Sequence, residues 1–255
     1  MVVRRWLTLY AAGAYAFLHL PLLVLAVFSF NSSRFTIWQG FSVAWYSAAF
    51  SDSRLATAAG NSLIIALAAT AASTVIGTLC AYGLWKRTSA AIANTLYLSL
   101  ITPEIVTGVS LLAFFQWLFR YWNVRLGIQT VILAHVAFSI AFVTIVVMAR
   151  LRTFDPTLEE AALDLGANEW ETFGRITLPL ILPGVIAAAL LAFTISIDDY
   201  VITSMVAGVD SETLPMVIYS MAQRGVSPSV NAISTVIVTL LGALIVLSAR
   251  LDHRA

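Results

Sequence analysis

Long apolar segments separated by polar ones dominate the chain, and their lengths predict membrane spans. A helix needs about 20 mainly apolar residues to cross roughly 30 Å of hydrocarbon. Segments of that kind lie at residues 8–30, 61–85, 95–119, 128–149, 180–206 and 230–249. The fifth is the least apolar, because it contains Asp198 and Asp199. The pattern therefore predicts an all-α, six-helix transmembrane protein with one domain over residues 1–255.

The polar segment at residues 150–179 contains signals for a short helix of its own. Either Asp155 or Thr157 can cap the start of this helix, and Thr157 together with Glu160 also fits a capping box. Gly166 is placed to end the helix, since glycine readily adopts the left-handed conformation found at helix ends. A structured loop of this length between two spans suggests that another protein docks there.

The composition of the same loop strengthens the docking interpretation. Small and apolar residues recur with helical spacing on one face, at Leu158, Ala161, Ala162 and Leu165. A second cap at 168–171 predicts another short helix, and the proline at 179 ends that helix or bends it into the next span. The alternative is an amphipathic loop on the membrane surface, which explains the apolar face but not the placement of the glycine and the proline.

The order of these residues resembles a known family. Glu160-Ala161-Ala162, three residues, Gly166, nine residues and then Ile176-Thr177-Leu178-Pro179 are similar to the cytoplasmic loop in the membrane subunits of bacterial type I ABC importers. In that family the loop forms coupling helices that fit a cleft on an ATP-hydrolysing subunit. The resemblance therefore implies that Glu160, Ala161, Ala162 and Gly166 dock the ATPase.

Several partners follow from the resemblance. It implies ABC ATPase subunits, expected as a homodimer, a second and different permease subunit, and an external solute-binding protein. ATP and magnesium would bind to the ATPase, so the chain itself would be a non-catalytic subunit without a cofactor. The implied location is the bacterial cytoplasmic (inner) membrane, with several passes through the lipid bilayer.

Composition and charge agree with a membrane protein and predict its orientation. The chain is 60% hydrophobic and 11% charged, and its mean hydropathy is +0.91. With the N-terminus inside, nine of the 14 basic residues fall on the cytoplasmic side: Arg4, Arg5, Lys86, Arg87, Arg150, Arg152, Arg175, Arg250 and Arg254. That excess predicts that both termini are cytoplasmic. The net charge of +1 says nothing about nucleic acid, and the sequence contains no basic run that would indicate a nucleic acid partner, so none is expected.

The residues needed for common catalytic and metal sites are sparse. Lys86 is the only lysine, and no phosphate-binding loop precedes it, which excludes an ATPase. His19, His135 and His253 are scattered, and the first two are expected to be hydrogen-bonded packing residues within spans. Cys80 is the only cysteine, which excludes a disulfide and a thiolate metal cluster.

Acidic residues inside the predicted spans are the candidates for contact with a transported solute. A carboxylate at mid-span costs about 2.5–3.5 kcal/mol, so it normally faces a cavity or a partner. Asp199 has Ser196 and Thr203 on its face of a helix, which predicts that Asp199 faces the pathway. Asp198 either shares that pathway or is held by another helix. The alternative is that both aspartates cap or pin neighbouring helices. Because they are adjacent and point apart, an aspartyl enzyme is disfavoured.

Glu104 is a third candidate for the pathway. It follows Pro103 in the third predicted span, where the proline leaves a backbone carbonyl without its usual donor. A protonated Glu104 could satisfy that carbonyl, so a structural role and a pathway role both remain open. The same acids would also suit an ion-coupled secondary transporter or channel, which is the competing functional hypothesis.

A second resemblance concerns the substrate. Segments along most of the chain resemble spermidine/putrescine-type permeases, at residues 30–35, 38–42, 45–46, 102–106, 193–199 and 214–232. This resemblance implies import of polyamines, whose charged amines suit carboxylates and aromatic faces. The aromatic residues at 35–46 could equally form an interfacial belt.

Overall fold

The described part of the protein is helical. The computed structural model describes residues 2–34, 37–224 and 228–239. Within those ranges every regular element is a helix, apart from an isolated bridge between Asn31 and Phe41. The predicted all-α class is therefore confirmed.

The chain divides into two compact units. One consists of Met1–Thr57 with Val217–Ala255, and the other of Ala58–Met216. The single domain expected over residues 1–255 stays a prediction.

The helix bounds follow the chain in order. The helices are α1 (Val2–Phe28), α2 (Ala44–Ser51), α3 (Ser53–Lys86), α4 (Ala90–Ile101), α5 (Glu104–Trp122), α6 (Ile128–Leu151), α7 (Thr157–Asp164), α8 (Glu169–Thr172), α9 (Leu178–Asp198), α10 (Val201–Val206), α11 (Leu214–Gln223) and α12 (Pro228–Thr239). A π-helical turn, Phe173–Thr177, joins α8 to α9 without a break.

Helix length and composition identify the candidate membrane spans. In the described ranges, four helices are long and apolar enough to cross a membrane: Trp6–Phe28, Ser53–Lys86, Ile128–Leu151 and the continuous run Glu169–Asp198. α4 and α5 pass the same test only as a pair, and they are bent by 111° at the break between them.

The third segment therefore differs from the single span expected over 95–119. Thr102 has an extended backbone, with φ −66° and ψ 127°, and Pro103 follows it. A residue before proline avoids the helical region, and proline has no N–H with which to continue the hydrogen-bond ladder. The chain turns at this point and α5 begins at Glu104.

The last two expected spans also have different limits. The fifth, expected over 180–206, begins earlier in the structure and ends at Asp198. Asp199 is extended, and α10 is a separate short helix after it. For the sixth, expected over 230–249, α12 covers the start as far as Thr239, and the remainder lies outside the described residues.

In the unit from Ala58 to Met216, α6 packs along α9 and also contacts α4, α5 and α10. Gly77 lets α3 approach α6 closely, because a β-carbon at that position would lie 2.6 Å from Cγ1 of Val143. Two apolar clusters form the core. One is centred on Ile65, Phe115, Val131, Ala134, Phe138, Ile202 and Val206; the other on Ala81, Val143, Val147, Leu151, Ile181, Ala188 and Ala192.

In the other unit, α1 leads into an ordered loop built around Asn31. The Asn31 side chain donates to the carbonyl of Ile37 at 2.9 Å and accepts from the amide of Gln39 at 3.0 Å. The Trp45 indole donates to the Asn31 carbonyl at 2.8 Å. Phe41 is stacked on a neighbouring phenylalanine and yet remains exposed. These contacts suit both a family-specific loop and an interfacial aromatic belt.

Candidate functional site

An aspartate lies just before the first helix of the polar loop, α7, and bonds to its first residue. Oδ1 of Asp155 accepts from the backbone N–H of Thr157 at 3.0 Å and from its hydroxyl at 2.8 Å. The N-cap position itself is Pro156, so Asp155 holds Thr157 from the residue before the cap, and Thr157 donates to Asp155 instead of forming a capping box with Glu160. Hydrogen bonds from the Thr157 hydroxyl and from its backbone N–H lower the pKa of Asp155.

The end of α7 confirms the predicted role of Gly166. The backbone of this residue has a φ of +90°, a value that residues with a β-carbon rarely adopt. Its amide donates to the carbonyl of Leu163, and the amide of Ala167 donates to the carbonyl of Ala162. These are the two hydrogen bonds of a Schellman motif, which provides donors for carbonyls that lack a partner at a helix end.

The second helix of the loop starts as expected but does not stop. Asn168 accepts from the amide of Glu171 at 2.9 Å, and the Glu171 carboxylate accepts from the amide of Asn168 at 3.2 Å. This reciprocal pair confirms the predicted cap. Beyond it, the π-helical turn carries the chain into α9, so Pro179 neither ends the helix nor separates it from the span.

The predicted docking residues lie largely on the accessible side of α7. Glu160, Ala161 and Gly166 are exposed, and Ala162 is half-buried. The apolar face around them is also uncovered: Leu158 is 45% exposed and Leu165 is 90% exposed. Trp170 on α8 is 73% exposed. An uncovered apolar surface of this kind is typical of a site where another protein binds.

The side of α7 that faces its own chain holds a carboxylate that the sequence analysis missed. Glu159 is only 2% exposed, and its carboxylate pairs with the Lys86 ammonium at the end of α3. The Thr177 hydroxyl, in the π-helical turn before α9, donates to the other carboxylate oxygen. One signal could have suggested this pair: the only lysine of the chain ends a span, and a Glu-Glu pair follows in the loop.

A separate cavity of about 460 Å³ brings together the three predicted pathway acids. Its lining includes Glu104 at the start of α5, Asp198 at the end of α9, and Asp199 just beyond it. Both interruptions in the spans, the one between α4 and α5 and the one between α9 and α10, therefore meet at this cavity. Phe138 and Phe142 on α6 form part of its apolar wall.

Asp199 is held by several hydrogen-bond donors. Oδ2 accepts from the Thr203 amide at 2.8 Å and from its hydroxyl at 2.7 Å, and Oδ1 accepts from the Ile202 amide at 3.3 Å. These donors belong to the first turn of α10, so Asp199 caps that helix. Asp198, in contrast, is exposed. The cap and the cavity position coexist at Asp199, so the pathway role expected of it stays a prediction.

His135 supports this arrangement from α6. It is buried, and Nδ1 lies 2.6 Å from the Ser196 hydroxyl while Nε2 lies 2.9 Å from the Thr203 hydroxyl. Nε2 is also 3.3 Å from Oδ2 of Asp199. The expectation of a hydrogen-bonded packing histidine is confirmed here. His19 lies 2.8 Å from the Tyr15 carbonyl of its own helix but is exposed, so the packing role expected of it stays a prediction. His253 lies outside the described residues. Among those described, no group of three or more His, Cys, Asp or Glu is arranged to hold a metal ion.

Two relatives are similar to nearly the whole chain. The spermidine/putrescine transport system permease protein PotC of Haemophilus influenzae is 42% identical over 94% of this chain and 93% of its own length. The putrescine transport system permease protein PotI of Escherichia coli is 41% identical over 94% of this chain and 89% of its own length.

Solved structures show the same fold. A bacterial ABC transporter involved in the import of the acidic polysaccharide alginate matches 99% of this chain and 96% of the compared chain, with a TM-score of 0.77. The inward-facing methionine ABC transporter MetNI matches 78% of this chain and 94% of the compared chain, with a TM-score of 0.62. The sequence identities are 16% and 20%, so these likenesses concern the fold alone.

A family model assigns the chain. The model for the binding-protein-dependent transport system inner membrane component matches residues 73–254. Together with the relatives, it supports the importer prediction and not the ion-coupled secondary transporter or channel. It also confirms the expected location as a multi-pass protein of the bacterial inner membrane. The chain therefore belongs to the inner membrane components of binding-protein-dependent transport systems, and it is a permease subunit of an ABC importer.

Proposed function

We propose that this permease forms half of the pathway of a polyamine importer. The observation that carries the proposal is the identity of 41–42% to relatives named for spermidine and putrescine, which extends over 94% of the chain. Polyamines are flexible chains bearing several ammonium groups. Carboxylates placed along a path, together with aromatic faces, are suited to such a solute.

The acidic cavity supports a cationic solute. Glu104 and Asp198 are both exposed and both line the cavity, so their carboxylates are available to a passing ammonium group. Asp199 lines the same cavity, and through its hydrogen bonds to α10 it holds one wall in place. We assign Asp198 and Glu104 to direct contact with the solute, with Asp199 adding negative charge beside them. Phe138 offers an aromatic face for the methylene groups.

The loop around α7 is proposed to receive the driving force. Glu160, Ala161, Ala162 and Gly166 would dock into an ATPase subunit, where ATP and magnesium bind. The support is their position on the uncovered side of α7. The two alanines permit close approach, and the apolar side chains of Leu158 and Leu165 would be buried on docking.

Two ATPase subunits, a second permease subunit and a solute-binding protein would complete the assembly. The second permease is expected to be a different chain. ATP can favour one arrangement of the spans only if the ATPase dimer binds ATP more tightly when the spans are in that arrangement. The docking loop would convert this difference in affinity into movement of the permease, so that the cavity opens alternately to each side of the membrane.

A pull-down of the tagged permease in mild detergent, with mass spectrometry of the recovered proteins, tests the assembly. We expect an ATPase and a second permease to be recovered. Both Glu160→Lys and Gly166→Trp should reduce recovery of the ATPase, whereas Gly174→Ala, at a position with open space around it, should not. Recovery of the permease alone, together with uptake that needs no ATP, would contradict the proposal.

Uptake by the purified complex in proteoliposomes tests the solute. Spermidine and putrescine should be transported in the presence of ATP and the solute-binding protein, and a neutral diol of the same length as putrescine should not compete. We expect Asp198→Asn to lower uptake without reducing recovery of the ATPase. Equal competition by the diol would show that the acids do not select the solute.

A further inference from the structure

We propose that Glu159 is a positioning residue that ties the docking helix α7 to the ends of two membrane spans. Its carboxylate links α7 to α3 through Lys86 and to the start of α9 through Thr177. Movement of α7 would then be passed to both spans together. This inference rests on the proposed docking function of the loop and adds to it the residue that transmits the force inside the permease.

The burial of Glu159 is the first support. The side chain is 2% exposed, although it lies on a short surface helix whose next residue, Glu160, is exposed. Within the described part of the chain, the Lys86 ammonium pairs with Oε2, and the Tyr82 side chain also interacts with this carboxylate. A buried carboxylate without a compensating charge is strongly unfavourable. α7 therefore cannot move away from Lys86 without a large cost.

The setting of Lys86 is the second support. Its ammonium lies 5.7 Å from the centroid of the Tyr82 ring and 5.3 Å from that of Trp85, within the range of cation–π attraction. Tyr82 in turn packs on Phe173 in the π-helical turn, with ring centroids 4.6 Å apart. Trp85 meets Phe154, just before α7, with centroids 5.7 Å apart. Aromatic rings from α3, from the segment before α7 and from the π-helical turn thus pack on the side of the ion pair that faces the protein, while the Lys86 side chain stays 37% exposed.

Thr177 gives the link its second branch. It is buried in the π-helical turn, and its hydroxyl donates to Glu159. A π-helical turn has a wider ring of hydrogen bonds than an α-helix and is often found at functional sites. Since this turn runs directly into α9, the carboxylate holds α7 against the base of that span as well as against α3. Glu160 is exposed, and among residues 2–34, 37–224 and 228–239 no hydrogen bond or ion pair joins its side chain to a span.

Coupling in the complete transporter tests the proposal. Glu159→Gln keeps the shape and an oxygen for Thr177 but removes the charge, and Lys86→Met removes the cation but keeps most of the stem. In proteoliposomes, each should lower solute uptake per ATP hydrolysed by roughly three- to tenfold while the ATPase still copurifies. The double variant should be no worse than either single variant, because both remove the same link. Lys86→Arg should retain most of the coupling.

The matched control is Asp164→Asn, which removes a charge from an exposed position on the same helix. It should leave uptake per ATP unchanged. Wild-type coupling in both Glu159→Gln and Lys86→Met would overturn the inference. It would leave the docking proposal intact, since that proposal depends on copurification of the ATPase.

A chemical measurement on the permease alone tests the ion pair independently of transport. Lys86 is the only lysine, so an amine-reactive reagent labels one side chain besides the N-terminus. With Glu159→Gln, acylation of Lys86 should be about threefold faster or more, because the ammonium is no longer held by a carboxylate. Asp164→Asn should label at the wild-type rate. Equal rates in the wild type and Glu159→Gln would show that the pair does not form.

Discussion

Glu159 is buried and Asp199 is half-buried, and their carboxylates are stabilised by different kinds of partner. Glu159 has one full positive charge from Lys86, at the end of α3, and accepts from the Thr177 hydroxyl, with Tyr82 beside it. Asp199 has two amides and a hydroxyl from the helix that follows it, and His135 lies beside it. Glu159 therefore joins segments that are far apart in the sequence, whereas Asp199 mainly organises its own neighbourhood.

This difference suggests separate uses for two otherwise similar groups. A carboxylate held by one distant cation moves together with that cation, which suits a part that transmits force. A carboxylate held by several local donors keeps its position when one donor is lost, which suits the wall of a solute cavity. Asp198 completes the contrast, because it is exposed at the same cavity and free to meet a ligand.

The largest effect on stability is expected from Asp199→Ala. It removes the acceptor of the Ile202 and Thr203 amides at the start of α10, so we expect a loss of about 3 kcal/mol. The measurement is the unfolding of the purified permease in detergent, monitored by the loss of its helical circular dichroism signal. Asp198→Ala is the matched control and should change stability by less than about 1 kcal/mol. If the two substitutions had equal effects, Asp199 would not stabilise α10 more than the exposed Asp198 does, and the two aspartates could not be assigned different roles.

Lys86→Met should have the next largest effect. The loss should be about 2 kcal/mol, less than for a fully buried pair, because the Lys86 side chain is 37% exposed and water partly compensates. Lys86→Arg keeps the charge and should recover most of the loss. The same unfolding measurement applies. If Lys86→Met unfolds like the wild type, the cation does not stabilise Glu159 appreciably.

Gly166→Ala should have a smaller and more local effect. A β-carbon at a φ of +90° strains the backbone, and we expect a cost of about 1 kcal/mol. The strain should loosen the end of α7, which limited proteolysis of the loop would detect as faster cleavage. Gly174→Ala is the control, since no atom lies within 4 Å of its added β-carbon. Faster cleavage in both variants would indicate general loosening of the loop, with no special role for Gly166.

The smallest effect concerns Asp155, a carboxylate that is fully exposed. The hydroxyl and the amide of Thr157 lower its pKa in the folded protein. Its contribution to α7 is therefore present above the ordinary pKa of about 4 and is lost as the pH falls through the lower, folded value. Hydrogen exchange at the Thr157 amide should speed up over that acidic range relative to the intrinsic rate. In Asp155→Asn the exchange rate of the Thr157 amide should not increase over this pH range. An increase of the same size in that variant would exclude Asp155 as the titrating group.

The features that were predicted correctly depend on residues close together in the sequence. The cap at Asn168 and the glycine at 166 each act within one or two helical turns, so their patterns are readable without the fold. The class of protein was also accessible, because spans of about 20 apolar residues are a strong signal. The resemblance of the 160–179 segment to importer loops added the family.

The features that were missed depend on contacts between distant segments or on a choice between two local outcomes. Nothing near Glu159 distinguishes it from Glu160; only the packing of α7 against α3 and the π-helical turn decides which one is buried. At Pro103 the sequence allowed a kinked span, and the structure has a bend of 111°. The opposite happened at Pro179, where the helix continues because proline is tolerated in the first turn of α9.

The π-helical turn between α8 and α9 also fixes a rotational phase. Such a turn accommodates about one residue more than an α-helical turn, and each residue advances an α-helix by about 100°. The wider turn absorbs that extra residue, so α8 and α9 keep nearly the rotational phase of one continuous helix. Deletion of one residue from 173–177, with closure to an α-helical turn, would therefore leave Trp170 in its exposed position. Insertion of a further residue that the turn could not absorb would instead rotate α8 by about 100° relative to α9 and would carry Trp170 away from the proposed docking surface.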